Sequence, residues 1–386
     1  MTRPADVVII GAGIVGASIA WHLARAGCRH VVLLEREPRQ GMGSTGKSMG
    51  GVRAQFATDV NIRLSMHSIR FYRDFDQTLG HPAGYRAQGY LFLATRAAHM
   101  EFLRANHRRQ RVLGLREARI ITTAEAKEMA PPVRMDDVVG ASFCPTDGFV
   151  DPYSVMQGFT LRAREMGAEL RRGAEVTGIE RDSSGVAGVH TRDDFIPTRV
   201  AVNAAGPWAA SVARLAGVDL PVTPLRRTLV PTEDCPELPR TLPMVVDMGT
   251  GFHFRPEGLG VLMAWNDPGE QPGFQTGVEP GFIEKILEHA VSRVPALAEV
   301  AVNPKRAWAG LYEVSPDHHA ILGEAPGVPG FFLANGFSGH GVMHAPATGQ
   351  ILADLILQGK TGVIDKTLLA PDRFARGRAF EETAVL

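Results

Sequence analysis

Between residues 6 and 35 the chain spells a complete strand, turn, helix and strand, and that unit limits the folds open to everything after it. Asp6 precedes a short apolar run, Val7 to Ile10, Gly11, Gly13 and Gly16 follow at GxGxxG spacing, helix-compatible residues continue to Ala26, and Val31 to Glu35 reads as a second strand. Two strands joined by a helix lie parallel, which implies a parallel sheet covered by helices. Gly27 suits the helix C-cap, and Pro38 stops the second strand. In the turn, Gly11 permits the tight bend, Gly13 lets backbone amides approach a pyrophosphate, and Gly16 lets helix and strand pack closely. The helix N-terminus adds positive potential there. Glu35 lies nineteen residues past Gly16 at the strand tip, where a carboxylate accepts from ribose hydroxyls and repels a 2′-phosphate. The unit implies FAD or NAD and disfavours NADP.

Composition supports a ligand-binding globular chain. The 386 residues include 42 glycines, about half again the usual share. Lys plus Arg and Asp plus Glu number 41 each, a balance that argues against nucleic acid as a partner. Cys28, Cys144 and Cys235 are odd in number and scattered, so neither a disulfide framework nor a zinc spacing is available and a reduced compartment fits. No stretch reaches the ~18 apolar residues of a membrane helix, and the first residues lack a signal-peptide pattern. A soluble cytoplasmic protein is expected.

Further along, Ile62, Met66, Ile69, Tyr72 and Phe75 give a long amphipathic helix over 59–79,. Strands are expected at 90–94 and 138–143, with a basic surface helix at 96–113. Asp151 followed by Pro152 marks a helix start. Residues 176–180 and 185–190 are expected to pair as a hairpin, 221–265 to form an antiparallel sheet, and 281–292 and 346–357 to be helical. The expected fold is α/β plus antiparallel β: a Rossmann-like FAD-binding domain of residues 1–80, 145–215 and 310–386, and a discontinuous substrate domain of residues 81–144 and 216–309 on a mixed or antiparallel sheet.

Three more segments carry chemistry. The hydroxyl-rich loop from Gly43 to Ser48 is set aside as a nucleoside-triphosphate loop on its spacing, and is read as a possible second hold on a dinucleotide. Asn203-Ala204-Ala205-Gly206-Pro207-Trp208 is a strand entering a small-residue turn, open to close packing on a cofactor or on the first sheet. Asn335-Gly336-Phe337-Ser338-Gly339-His340-Gly341 precedes a helix, and such a turn aims successive amides at an anion. His318 and His319 have no partners at metal-ligand spacing, so no metal is expected.

Taken together with Ser315-Pro316-Asp317-His318, these motifs resemble the D-amino-acid oxidase superfamily, nearest to sarcosine oxidase, glycine oxidase and proline dehydrogenase β-type chains, from Asp6 to about Leu357. The resemblance implies FAD-dependent oxidation of the C–N bond of an amino acid or N-substituted glycine, by hydride transfer to flavin N5, giving an imine that hydrolyses. It implies that FAD is held by Gly11, Gly13, Ile14, Val15, Gly16, Glu35 and Arg36, by Ser44, Thr45, Lys47, Ser48, Gly50 and Gly51, by Val176, Ala205, Gly206, Trp208 and Gly310, and by Gly339, His340, Gly341, Val342 and Met343. On the substrate side it implies Arg53 for the carboxylate, with Tyr312, His340, His253 and Arg255; an arginine suits because its guanidinium binds a carboxylate bidentately.

Departures from the family pattern are informative. Gly310 stands where monomeric sarcosine oxidases link FAD to cysteine, so FAD is expected to be non-covalent. Met343 replaces a carboxylate-binding lysine, which leaves that task to Arg53. Leu262 or Met263 replaces the lysine tied to oxygen activation, so oxygen or another electron acceptor stays open, and a partner subunit with it. Met49, Met263 and Met343 near the flavin imply an N-substituent larger or more apolar than methyl. Two other readings remain: the FAD subunit of a hetero-oligomeric amino-acid dehydrogenase, and a non-catalytic nucleotide-binding flavoprotein.

Overall fold

Val7–Ile10 is buried along its whole length, as a strand covered on both faces must be. In the computed structural model, which describes residues 3–384, it pairs in parallel with Val31–Glu35 on one side and Ala201–Asn203 on the other. The sheet has six strands in the order Ile321–Glu324, Phe331–Asn335, Ala201–Asn203, Val7–Ile10, Val31–Glu35, Glu169–Arg172. Its only antiparallel pair is Ile321–Glu324 with Phe331–Asn335. The Ile14–Arg25 helix lies between Pro152–Glu165 and Gly341–Gln358, and all three bury apolar faces in one core with Ile9, Phe159 and Ile351. Val176–Asp182 and Gly185–Thr191 form the expected hairpin, extended by Phe195–Pro197.

The second sheet has eight strands, in the order Trp308–Val314, Thr223–Pro231, Gly260–Ala264, His253–Glu257, Met244–Asp247, Tyr90–Ala94, Gly140–Cys144, Arg119–Ile121. One pair, Met244–Asp247 with Tyr90–Ala94, is parallel and the rest are antiparallel. Alternation divides its side chains. Val230, Val245, Phe254 and Met263 pack beneath the Pro280–Arg293 helix, while Leu229, Ala264 and His253, opposite one another by register, face the other way. The expected domain boundary at 309/310 falls inside Trp308–Val314, which is fully paired with Thr223–Pro231; residues 1–2 and 385–386 of the expected cofactor domain lie outside the described residues.

Two helices differ from expectation. The 59–79 helix is two, Asp59–Arg73 and Phe75–Leu79, broken at Asp74. The last long helix begins at Gly341, so Pro346 is interior rather than first-turn. Proline has no N–H to donate to the carbonyl four residues back. That carbonyl belongs to Val342, and the Tyr72 hydroxyl donates to it at 2.6 Å. The two deviations from ideal helix chemistry therefore cancel across an interface. Among the described residues no helix is long and apolar enough to cross a membrane.

Tyr72→Phe leaves the Val342 carbonyl buried without a donor and is expected to cost about 1–3 kcal/mol in urea unfolding. Pro346→Ala restores a donor, so the double variant is expected to recover part of that loss, a coupling measurable in a double-mutant cycle.

Candidate active site

The cofactor end of the site is built by close backbone approach. Gly11 has φ +106°, and a Cβ there would come within 2.4 Å of the Ala204 carbonyl oxygen, so only glycine lets the first turn lie against the Ala201–Asn203 strand end. The Ile14 amide donates to Thr45 Oγ1 at 3.0 Å. Gly16 packs against the backbone of Gly11 rather than lining the cavity. Glu35 accepts from the amides of Ala12, at 3.3 Å, and Glu37, at 3.1 Å. Burial pushes its carboxyl above the ordinary range, and those two amides oppose the shift. The Arg36 guanidinium lies 3.8 Å over the Trp208 ring.

A cavity of about 620 Å³ runs from Glu35, Arg36 and Trp208 past the first turn to Arg53, Tyr90, His253 and Tyr312. Of the residues expected to hold cofactor, all line it except Gly16 and Gly50; Gly50 instead abuts the Val150 carbonyl. The Gly43–Ser48 loop needs a further correction. With Gly41 it does spell GxxxxGK[ST], so spacing does not exclude a phosphate loop. Context does: it forms a short 3₁₀ turn at Thr45–Lys47 rather than the N-terminus of a long helix. It is fixed in place, with Ser44 Oγ donating to Leu311 O at 2.7 Å and Trp308 Nε1 donating to Lys47 O at 3.1 Å.

The second glycine turn faces the middle of the cavity. Ser338 and Gly339 have φ of +51° and +93°, and a Cβ at Gly339 would meet the Tyr312 ring at 2.4 Å. The next helix opens here, with His340 at its N-cap. The Glu313 carboxylate, unremarked in the sequence, accepts from the Gly336 amide at 3.1 Å; burial pushes it up to about 8 against the pull of the Gly336 and Phe337 amides.

At the far end Arg53 is wholly buried. Its Nη1 donates to Gln55 O at 2.6 Å, Nη2 donates to the Ala384 carbonyl, and its plane lies 3.8 Å over the Phe56 ring. Its Nε has no partner among the described residues. Two carboxylates support it at one remove. Asp147 accepts from the Ala54 amide at 2.8 Å and Gln55 Nε2 at 2.9 Å, and burial pushes it up to about 6. Glu382 accepts from the Ala57 and Thr58 amides, the Thr58 hydroxyl and Asn61 Nδ2. Burial would raise Glu382, but these donors hold it below the ordinary range.

His253 Nδ1 bonds the Gly251 carbonyl at 3.0 Å, which fixes the proton on Nδ1 and leaves Nε2 as an acceptor. Burial, then Arg227 and Arg53, bring it down to about 4. His340 lies well below its ordinary range for the same reason and stands edge-on to Phe56 at 4.8 Å. Burial raises the Tyr312 hydroxyl.

Two expectations fail here. Arg255 does not line the cavity: its Nε donates to Met49 O at 2.7 Å and its Nη1 to Glu257 and to Pro256 O, so it braces the loop from behind. Met263 packs in the core on the opposite face of the sheet, leaving Met49 and Met343 at the cavity. Tyr90 and Arg227 are among the lining residues that the sequence reading missed. Arg227 was discoverable in principle, because Arg226 and Arg227 are adjacent in a strand and must point to opposite faces. His319 bonds Thr58 Oγ1 at 2.9 Å and Asp317 O at 2.9 Å.

The sequence matches the family described as FAD dependent oxidoreductase over residues 6–355. It is similar to mitochondrial dimethylglycine dehydrogenase of Mus musculus, 31% identical over 390 residues, covering 96% of this chain but 44% of that protein. The chain thus spans less than half of that relative's length. Its fold is similar to L-proline dehydrogenase from P. horikoshii, with TM-score 0.91, 30% identity and coverage of 98% and 99% of the two chains. It is also similar to glycine oxidase from Geobacillus kaustophilus, with TM-score 0.86, 26% identity and coverage of 96% and 99%. FAD fits the cavity on the chain's own geometry, since glycine backbone, helix N-termini and Glu35 stand where a dinucleotide needs them,.

Gly11→Ala forces a side chain into the Ala204 carbonyl at a left-handed φ, and is expected to abolish FAD retention, read as loss of visible absorbance in purified protein. Glu35→Gln keeps the shape and removes the charge; FAD affinity by fluorescence titration is expected to fall about tenfold.

Proposed function

Because the chain belongs to the FAD dependent oxidoreductase family, we propose that it oxidises the C–N bond of an amino acid or N-substituted glycine to an imine that water hydrolyses. The observation that carries this reading is a buried Arg53, without a contacting carboxylate among the described residues, on the same cavity as a neutral His253 and the glycine turns. Bound FAD supplies the two-electron acceptance; the chain supplies binding and orientation. Arg53 offers N–H donors to the substrate carboxylate. The Nε2 lone pair of His253 accepts from the amine N–H, which favours the amine's neutral form. Tyr312 stays a neutral hydroxyl above Gly339 and closes the cavity over the substrate. Glu313 and Ser338 hold the glycine turn whose remaining amides would face bound FAD: Glu313 takes the Gly336 amide, and the Ser338 amide donates to the Glu313 carbonyl at 2.9 Å.

The face of the sheet toward the cavity carries Leu262 and Ala264, with no lysine at either position. That favours a non-oxygen acceptor, in keeping with the dehydrogenase names of two of the relatives, and leaves a partner subunit as part of the proposal. Free thiols at all three cysteines support a reducing, cytoplasmic setting,.

Anaerobic addition of sarcosine, proline or glycine is expected to bleach the flavin bands with at least one of them, and admission of air to restore colour slowly; no bleaching by any amine overturns the proposal. Arg53→Met is expected to raise KM at least about tenfold with a smaller change in kcat. His253 stays neutral from pH 8 down to about 4, so no inflection near 6.5 is expected from it in kcat/KM. Stability follows the same shift: the unfolded imidazole takes its proton near 6.5 while the folded one waits until about 4, so folded protein is expected to lose stability as pH falls through that window, measurable as falling Tm.

A further inference from the structure

A guanidinium carries several N–H donors on three nitrogens, and Arg53 spends one from each terminal nitrogen on the protein. Nη1 donates to Gln55 O, two residues away, and Nη2 to Ala384 O, 331 residues away. Gln55 is local and moves with Arg53. Ala384 is therefore the one distant hydrogen-bond partner, among the described residues, that fixes how the guanidinium plane is turned over Phe56. The segment Phe380–Ala384 delivers it, and the anchor of that segment is the fully buried Glu382. The Glu382 carboxylate accepts from the Ala57 amide at 3.0 Å, the Thr58 amide at 3.1 Å, the Thr58 hydroxyl at 2.6 Å and Asn61 Nδ2 at 3.1 Å, all on the stretch that runs from Arg53 into the Asp59–Arg73 helix. It also accepts from the Ala384 amide at 2.9 Å, which curls the segment so that the Ala384 carbonyl reaches Arg53. Two lighter contacts complete the seat: the Phe380 ring lies 4.3 Å from that of His319, and the Glu382 amide donates to Asp317 O at 3.0 Å. Residues 375–379, just before the segment, are all exposed.

We propose that Glu382 is a positioning residue for the substrate: it seats Phe380–Ala384 behind Arg53, and carboxylate recognition is lost when the segment leaves its seat while FAD stays bound. This rests on the carboxylate role of Arg53 proposed above and names the part of the chain on which that role depends. A fork that must meet both oxygens of a carboxylate tolerates little rotation. With the segment seated, Nη1 and Nη2 each keep one N–H for a ligand, and Nε keeps its own. Once it leaves, the plane is free to turn. Burial disfavours the Arg53 charge, and Glu382 and Asp147 are the carboxylates that favour it, so departure of one also makes the bare cation harder to keep buried. The exposed stretch before the segment lets it open locally at the expense of its own contacts alone. None of residues 380–384 lines the cavity, which separates the seat from the groups that hold the cofactor.

The test uses the FAD-loaded full chain and methoxyacetate, a carboxylate with the outline of sarcosine and no amine, read through the shift of the flavin bands. Glu382→Gln is expected to weaken methoxyacetate binding about tenfold or more with the FAD-to-protein ratio unchanged. Glu382→Asp, which keeps the charge, is expected to retain part of the affinity. With whichever amine reduces the flavin, Glu382→Gln is expected to raise the dissociation constant by the same factor and to change the limiting reduction rate by less than about threefold. A chain stopped after Ala379 is expected to lose methoxyacetate binding and to regain it when a peptide spanning residues 380–386 is added. In the unaltered protein, saturating methoxyacetate is expected to slow hydrogen exchange of residues 380–384, because a ligand that prefers the seated state must stabilise it. Unchanged or tighter binding by Glu382→Gln, or FAD lost in step with methoxyacetate, overturns the inference. So does hydrogen exchange that ignores the ligand, a measurement that needs no variant to fold. If no amine reduces the flavin, the proposed reaction fails and the titration still decides the role of Glu382; if methoxyacetate does not bind the unaltered protein, the inference falls with the carboxylate role of Arg53.

Discussion

A guanidinium removed from water must be compensated, and the way this chain compensates Arg53 organises the region around the site. Among the described residues no carboxylate touches it. Two carbonyls and the face of Phe56 take its contacts, while Asp147 and Glu382 act through the backbone of residues 54, 57 and 58. A contact ion pair would consume the charge. Compensation at one remove stabilises the buried cation and leaves its outward field for a ligand. The same groups tie the molecule together: Gln55 joins Asp147 to the Tyr90 carbonyl on the eight-stranded sheet, and Glu382 clasps the start of the Asp59–Arg73 helix.

Burial, reinforced by that field, sets the state of the surrounding side chains. His253, His340 and His344 all lie in it, and burial and the Arg53 charge together keep them neutral. Imidazoles are ordinarily the groups that switch near neutral pH. Here they are fixed as neutral donors and acceptors, so the site presents permanent cations beside permanent lone pairs. Glu313 shows the complementary effect, a carboxyl that burial raises to about 8 although the Gly336 and Phe337 amides pull it down.

Where the physics is local, the sequence could be read. The unit from Val7 to Glu35, the hairpin at 176–191 and the two glycine turns carry their signals within a few residues of one another, and they form as expected. Arg255 and Met263 were misplaced because the face a strand residue occupies depends on register, which is set by pairing partners distant in sequence. Arg227 was overlooked for the same reason, although its alternation with Arg226 is local. Pro346 reads as a helix start because proline usually is one; only Tyr72, some 270 residues away along the chain, makes its interior position tolerable. The Arg53 and Ala384 pairing spans 331 residues and leaves no pattern that a single sequence reveals.

That last contact bears on how the molecule is made. A chain that emerges from the ribosome N-terminus first displays the segment around Arg53 long before residues 382–384 exist. Until then the Ala57 and Thr58 amides, the Asn61 side chain and one arm of the guanidinium lack the partners they have in the folded protein. The six-stranded sheet itself waits for Ile321–Glu324 and Phe331–Asn335, and the wall behind Arg53 waits longer still, for residues 382–384.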